Sequence, residues 1–144
     1  MIIREFCKND LAKIDKFEKE IFKDDSYTLE SLNNFLEDDY FLGTVAEVNG
    51  EVIAYLFVSY FGVDANILKI AVDYKYRNRG IAKKLLLEMF DLLKENCVEN
   101  LFLEVDDQNE PALNLYKSLG FENTRIRYAY YKNGDNAIEM IKKL

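Results

Sequence analysis

The chain predicts a mixed α/β (α+β) domain, a mostly antiparallel sheet flanked by helices in the order βααβββαβαββ. Three features carry that prediction. Apolar residues recur at three- and four-residue spacing in four segments, the mark of amphipathic helices. Other runs are short and rich in β-branched and aromatic residues. Asn49-Gly50 and Asn133-Gly134 mark hairpins, while helices separate other strands, so the sheet mixes hairpins with crossovers.

Taken in order, "MIIREF" reads as a first strand, and "NDLAKIDKFEKEIF" carries Leu11, Ile14, Phe17, Ile21 and Phe22 on one helical face. Asn9 or Asp10 is placed to cap that helix. A second helix, "TLESLNNFLED", presents Leu29, Leu32 and Leu36 and is capped by Thr28. Three strands follow: "YFLGTVAEV", "EVIAYLFVSYF" and "ANILKIAVD". From Gly80 the period becomes helical again, with Ile81, Leu85, Met89 and Leu92 or Leu93 forming a stripe to about Asn96. "VENLFLEVD" returns to strand. Pro111 suits the first turn of a short helix capped by Asn109 or Glu110 and ended by Gly120. "FENTRIRYAYY" and "NAIEMIKKL" close the chain as strands.

At 144 residues and 49% hydrophobic content, residues 1–144 are expected to form a single domain. The formal charge of −7 argues against a general nucleic-acid binder and suits a cationic substrate. "MIIREFCKND" turns polar within four residues, and no apolar run approaches the roughly 20 residues of a membrane helix, so a soluble, cytoplasmic protein is expected. Cys7 and Cys97 belong to no CxxC pair and are expected to be buried reduced thiols, with no metal site. Histidine is absent, so a general base must be a carboxylate, tyrosine, lysine or thiolate.

One stretch departs from the acidic balance. Lys75, Arg77, Arg79, Lys83 and Lys84 lie within ten residues, and no carboxylate stands between Asp73 and Glu88. This island falls where a strand passes into a helix, so unpaired N–H groups and the positive helix end point to one place. Gly80 and the small Ala82 leave the main chain approachable. A pyrophosphate fits that combination; an ordinary basic loop on an acidic protein is the alternative. No G-x-x-x-x-G-K-[ST] or G-x-G-x-x-G occurs, which excludes the nucleotide sites of those kinds.

The run Arg77-Asn78-Arg79-Gly80-Ile81-Ala82 resembles the [QR]-x-x-G-x-[GA] loop of the GCN5-related N-acetyltransferases, the GNAT superfamily, which wraps the pyrophosphate of coenzyme A. "NEPALNLYKSLGF" resembles that family's N-x-x-A-x-x-L-Y-x-x-x-G-F, with Asn109, Ala112, Leu115, Tyr116, Gly120 and Phe121 in register. Three longer stretches resemble its RimI branch, which acetylates the N-terminal alanine of a small-subunit ribosomal protein. These are "ILKIAVDYKYRNRGIAKKLL", "LFLEVDDQNEPALNLYKSLGF" and "RIRYAYYKNGDNAIEM". The resemblance implies acetyl-CoA as co-substrate and the GNAT fold. It implies that Ile70, Ala71 and Val72 hold the pantetheine arm, that Arg77, Asn78, Arg79, Gly80, Ile81, Ala82 and Lys83 hold the pyrophosphate, and that Asn109 touches the pantetheine region. It assigns Glu104 as general base and Tyr116 as general acid. Two departures lie on the acceptor side: Lys23-Asp24-Asp25-Ser26-Tyr27 replaces the family's Pro-Trp-Ser, and Asp135-Asn136-Ala137 replaces Glu-Asp-Ala.

The residues allow a separate reading of these roles. Phe102, Glu104 and Asp106 share one strand face, so Glu104 is a cleft base, a solvated face residue or an ion-pair member. Partial burial is the feature that would fit such a carboxylate to base chemistry. Tyr116 is a proton donor to a departing thiolate or a core aromatic. Tyr128, Tyr130 and Tyr131 either wall a slot for a peptide N-terminus or fill a strand pair. Removing a proton from an α-amine at pH 7 costs about 1 kcal/mol, against about 4.6 kcal/mol for a lysine, which favours a protein N-terminus as acceptor. A small amine or lysine side chain is the second reading, and a non-catalytic acetyl-CoA-binding module the third. The expected form is a monomer or weak homodimer, without nucleic-acid or membrane partners.

Overall fold

A computed structural model describes all residues, 1–144. Its elements are β1 (Ile2–Glu5), α1 (Leu11–Ile21), α2 (Leu29–Glu37), β2 (Phe41–Val48), β3 (Glu51–Phe61), β4 (Asp64–Val72), α3 (Ile81–Glu95), β5 (Asn100–Asp106), α4 (Glu110–Ser118), β6 (Glu122–Arg127) and β7 (Ala137–Lys143). The order is βααβββαβαββ, as the sequence predicts, and the seven strands follow β1-β2-β3-β4-β5-β7-β6. The chain groups into two compact units, one of residues 1–59 and 68–89, the other of residues 60–67 and 90–144.

In the first unit, β1 runs antiparallel to β2, and β2 antiparallel to β3. Asn49 and Gly50 turn the second hairpin, both at positive φ (52° and 80°), the geometry that makes this pair a hairpin signal. Val52 to Val58 of β3 are buried without interruption, so this strand is covered on both faces. Ile14 and Phe17 of α1 and Leu32 of α2 pack with Tyr55 and Phe57. Leu29, expected on that stripe, is 51% exposed because it opens α2 instead of facing the core. Thr28 caps α2 by accepting from Ser31 N–H at 3.1 Å. Asp10 has another task. Its carboxylate takes two bonds from Arg4 (2.8 and 2.9 Å) and one from Cys7 N–H, leaving no side-chain cap for α1. Burial raises the Asp10 pKa, but these bonds outweigh it and hold the carboxyl below its usual value.

The polar anchor of this unit is Glu18, fully buried on α1. Lys69 Nζ of β4 lies 3.0 and 3.1 Å from its two oxygens, and the Tyr55 hydroxyl donates to Oε2 at 3.0 Å. Lys69 also donates to the Asp25 carbonyl and sits 4.0 and 4.3 Å from the Phe22 and Tyr27 ring centroids. Burial, followed by the Glu18 charge, pushes the Tyr55 hydroxyl well above its ordinary value and that of Tyr27 up to about 12.

In the second unit the start of β4 runs parallel to the start of β5, Asp64 to Asn66 against Asn100 to Phe102, and the ladder covers only those residues. β5 and β6 each run antiparallel to β7. Leu101, Leu103 and Val105 of β5 are buried, as are Met140 of β7, which pairs with Leu103 across the ladder, Leu113 and Tyr116 of α4, and Phe121. Strand β6 is shorter than predicted. It ends at Arg127 because Ala129 has φ +50° and gives its N–H to Asn136 Oδ1 (2.9 Å), which removes it from a ladder. Tyr128, Tyr130 and Tyr131 therefore sit in the connection to β7 and fill no strand pair. Both cysteines are exposed, contrary to expectation: Cys7 precedes the Lys8–Asp10 turn, and Cys97 follows α3 at φ +63°.

The buried ion pair makes a stability prediction. Lys69→Met strands the Glu18 carboxylate and should cost about 3 to 5 kcal/mol in urea unfolding. Adding Glu18→Gln, which keeps an acceptor for Tyr55, should recover more than half; strictly additive losses would show that the two groups are not energetically paired.

Candidate active site

The chemistry-bearing residues fall into two groups, one in each unit. In the first, β4 ends in Ile70, Ala71 and Val72, with Ala71 buried and its neighbours half-buried. Asp73 N–H donates to the Ile53 carbonyl (2.8 Å), which ties the strand end to β3. The Asp73 side chain then accepts from Lys75 N–H at 3.0 Å and shapes the Tyr74–Tyr76 turn. Arg77 Nε donates to the Val72 carbonyl (3.1 Å), folding the basic loop back on the strand. Arg79 stands 5.1 Å from the Tyr76 ring centroid, which leaves its charge at the surface.

Backbone geometry opens this loop. Asn78 and Gly80 have φ of 61° and 76°, and a Cβ at Gly80 would meet no atom within 4 Å. Helix α3 starts at the next residue, with Ile81 and Leu85 buried and Lys83 and Lys84 exposed. The first turn of a helix has N–H groups without intrahelical acceptors. Here they adjoin a glycine with open space above it and five cations in ten residues. The arrangement suits a bulky polyanion held by main chain and charge together.

Beside this loop is a cavity of roughly 600 Å³, lined by Lys13 and Lys16 of α1 with Asp73, Tyr74, Lys75 and Arg77. Sequence reading missed the contribution of α1. Lys13 and Lys16 are three residues apart and share a helix face, but that spacing is equally the pattern of any solvated face.

The second group is in the other unit. Glu104 projects from β5 on the face opposite Leu103 and Val105, with its side chain 32% exposed. Its nearest charge is Arg127, whose Nε is 3.2 Å from Oε1. The partly covered carboxylate thus has a counter-ion beside it. Asn109 caps α4, its Oδ1 accepting from Ala112 N–H (3.3 Å), and Pro111 sits in the first turn behind it. Tyr116 is on the inner face of α4, 6% exposed, its ring 5.6 Å from that of Phe121. Burial pushes its hydroxyl up to about 12.

Tyr128 is 77% exposed and Tyr130 49%, and the Tyr130 and Tyr131 rings stand 5.2 Å apart. Arg127 lies 5.8 Å from the Tyr130 ring centroid, so Glu104, Arg127 and Tyr130 form one chain of neighbours. Asn136, in the altered Asp135-Asn136-Ala137 segment, fastens this loop: its amide donates to Asp107 (3.2 Å) while its oxygen holds Ala129. A hydrogen bond shared with Asp106 raises the Asp135 pKa.

Residues 8–121 match the acetyltransferase (GNAT) family. The chain is 33% identical over 145 residues to an uncharacterized N-acetyltransferase of Methanocaldococcus jannaschii, covering 99% of this chain and 92% of that protein. It is 36% identical over 93 residues to the ribosomal protein bS18 alanine N-acetyltransferase of Escherichia coli K12, covering 65% of this chain and 63% of that one. The crystal structure of the ribosomal-protein-S18-alanine N-acetyltransferase from Escherichia coli superposes with a TM-score of 0.88 at 28% identity, over 99% of this chain and 92% of that one. With the fold, the open loop before α3 and the family match in agreement, the chain belongs to the acetyltransferase (GNAT) family and is an N-acetyltransferase.

Proposed function

We propose that residues 1–144 act as one N-alpha-acetyltransferase domain that moves the acetyl group of acetyl-CoA to the N-terminal amine of a protein, in the finer reading the N-terminal alanine of a small-subunit ribosomal protein. The observation that carries the reaction is the β4–loop–α3 junction, where Gly80 at positive φ, the first turn of α3 and a cluster of cations converge. The acceptor reading draws on the bS18 alanine N-acetyltransferase relative and on the amine energetics above.

Acetyl-CoA supplies an activated thioester. In this reading Arg77, Asn78, Arg79, Gly80, Ile81, Ala82 and Lys83 hold the pyrophosphate, and the main chain of Ile70, Ala71 and Val72 holds the pantetheine arm. The Val72 N–H polarises the acyl oxygen. Asn109 has its oxygen committed to the α4 cap, so its amide is the group that remains for the cofactor. Glu104 takes a proton from the acceptor ammonium, freeing the nitrogen lone pair for direct attack.

Tyr116 needs a modified role. A hydroxyl at about 12 stays protonated throughout the working range, but giving its proton outright to a thiolate of ordinary pKa about 8.5 is uphill by about 5 kcal/mol. It therefore serves as a hydrogen-bond donor to the departing sulfur, and water completes the protonation. Tyr128, Tyr130 and Tyr131 border the acceptor, and their loop position leaves two of the rings substantially exposed for that purpose.

Four outcomes test this reading. Gly80→Val places a β-branched residue at φ +76° in open space, so the protein should still fold while calorimetry shows acetyl-CoA affinity down at least about tenfold; unchanged affinity removes the loop assignment. Glu104→Gln should lower kcat by roughly 10² to 10⁴ near pH 7 and regain much of it by about pH 8 to 9 as the free α-amine fraction rises. Tyr116→Phe should lower kcat at every pH without such recovery and with little change in acetyl-CoA binding. An Ala-initiated ribosomal peptide should turn over well above the same peptide with a blocked N-terminus and a free lysine. Equal turnover would move the assignment to lysine, and binding without turnover would leave a coenzyme A-binding module.

A further inference from the structure

Glu104 does not stand alone on its sheet face. The β5–β7 register sets it directly opposite Glu139, so two carboxylates face each other across adjacent strands. Like charges so placed repel. Arg127 of β6 bridges them, with Nε 3.2 Å from Glu104 Oε1 and Nη2 3.8 Å from Glu139 Oε2.

The two ends of this bridge differ. The Thr124 hydroxyl donates to Glu139 Oε1 at 2.7 Å, and Arg125 donates to Oε2 at 3.2 and 3.3 Å. The Thr124 bond first, and the Arg125 bond and charge after it, hold the Glu139 carboxyl below its usual value. Glu139 is thus a fixed anion, whereas Arg127 is the only ion-pair partner of Glu104. The remaining charged group on the β5 face is Asp106, which shares a hydrogen bond with Asp135; the β7 residues flanking Glu139 on that face, Ala137 and Ile141, do not titrate.

An arginine beside a carboxylate favours its ionised form and so opposes proton uptake, the opposite of what a general base requires. A second anion on the same guanidinium counters that. We propose that Arg127 and Glu139 form a counter-ion pair that sets the proton affinity of Glu104, with both as positioning residues that act through Glu104; this rests on the reading of Glu104 as base. In the proton-transfer step an ammonium N–H bond breaks, an O–H bond forms on Glu104, and the nitrogen keeps the electron pair for attack. Glu104 then carries no charge, and Arg127 retains Glu139 as its partner. The proton leaves Glu104 to water, which restores the bridge.

The proposal gives opposite signs for two neutralising substitutions. Removing the cation in Arg127→Gln leaves two facing carboxylates, so the carbon-NMR titration midpoint of the Glu104 side chain in the free protein should rise by about half a unit to one unit. Removing the anion in Glu139→Gln gives Arg127 wholly to Glu104, so the midpoint should fall, and the double variant should lie between. The acid limb of kcat against pH with the Ala-initiated peptide should move in the same directions, and thermal melts confirm that each variant is folded. Shifts of one sign in both variants, or none above about 0.3 unit, overturn the proposal even if Glu104→Gln is inactive. A fully active Glu104→Gln overturns it by removing the base, and the NMR midpoints then show whether the electrostatic coupling itself failed.

Discussion

Glu18 is a carboxylate with no exposed surface, and such a charge persists only where partners replace its water. The partners here come from distant places in the chain: Lys69 from β4, the Tyr55 hydroxyl from β3, and the Tyr27 N–H (3.4 Å) from the connection between α1 and α2. Satisfying one charge therefore fixes α1 against two strands and folds the Lys23–Tyr27 segment over Lys69, whose ammonium is covered by the Phe22 and Tyr27 rings. Lys69 directly precedes Ile70, Ala71 and Val72. The same contact that orders the α1–α2 connection thus sets the strand end from which the basic loop departs.

From that strand end the geometry is built by short-range bonds. Asp73 is held by β3 through its N–H and shapes the following turn through its carboxylate, and Arg77 returns to Val72. Each bond is worth little alone, about 1 kcal/mol. Together they leave the α3 end free of side-chain cover, with glycine tolerating a φ that other residues resist. Positive charge is concentrated here on a chain of net charge −7, so an anion is drawn to this place.

The second unit works by a different balance. Tyr116 is kept neutral by burial, which suits a hydrogen-bond donor and opposes a full acid. Glu104 lies in solvent reach but within a network of opposed charges, Arg127 on one side and Glu139 across the ladder. The tyrosine loop is held by Asn136, where the family pattern has a different residue, so one of the segments that depart from that pattern also fastens the aromatic loop between β6 and β7.

Periodicity and turn chemistry determined the element order, because helical spacing, β-branched runs, the Asn-Gly turn and the Thr28 and Asn109 caps act within a few residues. The basic loop was legible for the same reason: its cations, its glycine and the strand-to-helix change are adjacent in sequence. Contacts across long separations were not. Lys69 meets Glu18 51 residues away, Arg127 meets Glu104 from another strand, and Lys13 and Lys16 reach the loop wall from α1. Nor did composition show that β6 stops at Arg127, since the aromatic run beyond it favours a strand and is overruled by a single side chain, Asn136, reached through the turn. Sequence alone therefore determined the elements and the basic, glycine-bearing loop before α3, which are local. Only the tertiary structure decided which charges neutralise one another, because ion pairing depends on distance in space and on the burial that makes each partner necessary.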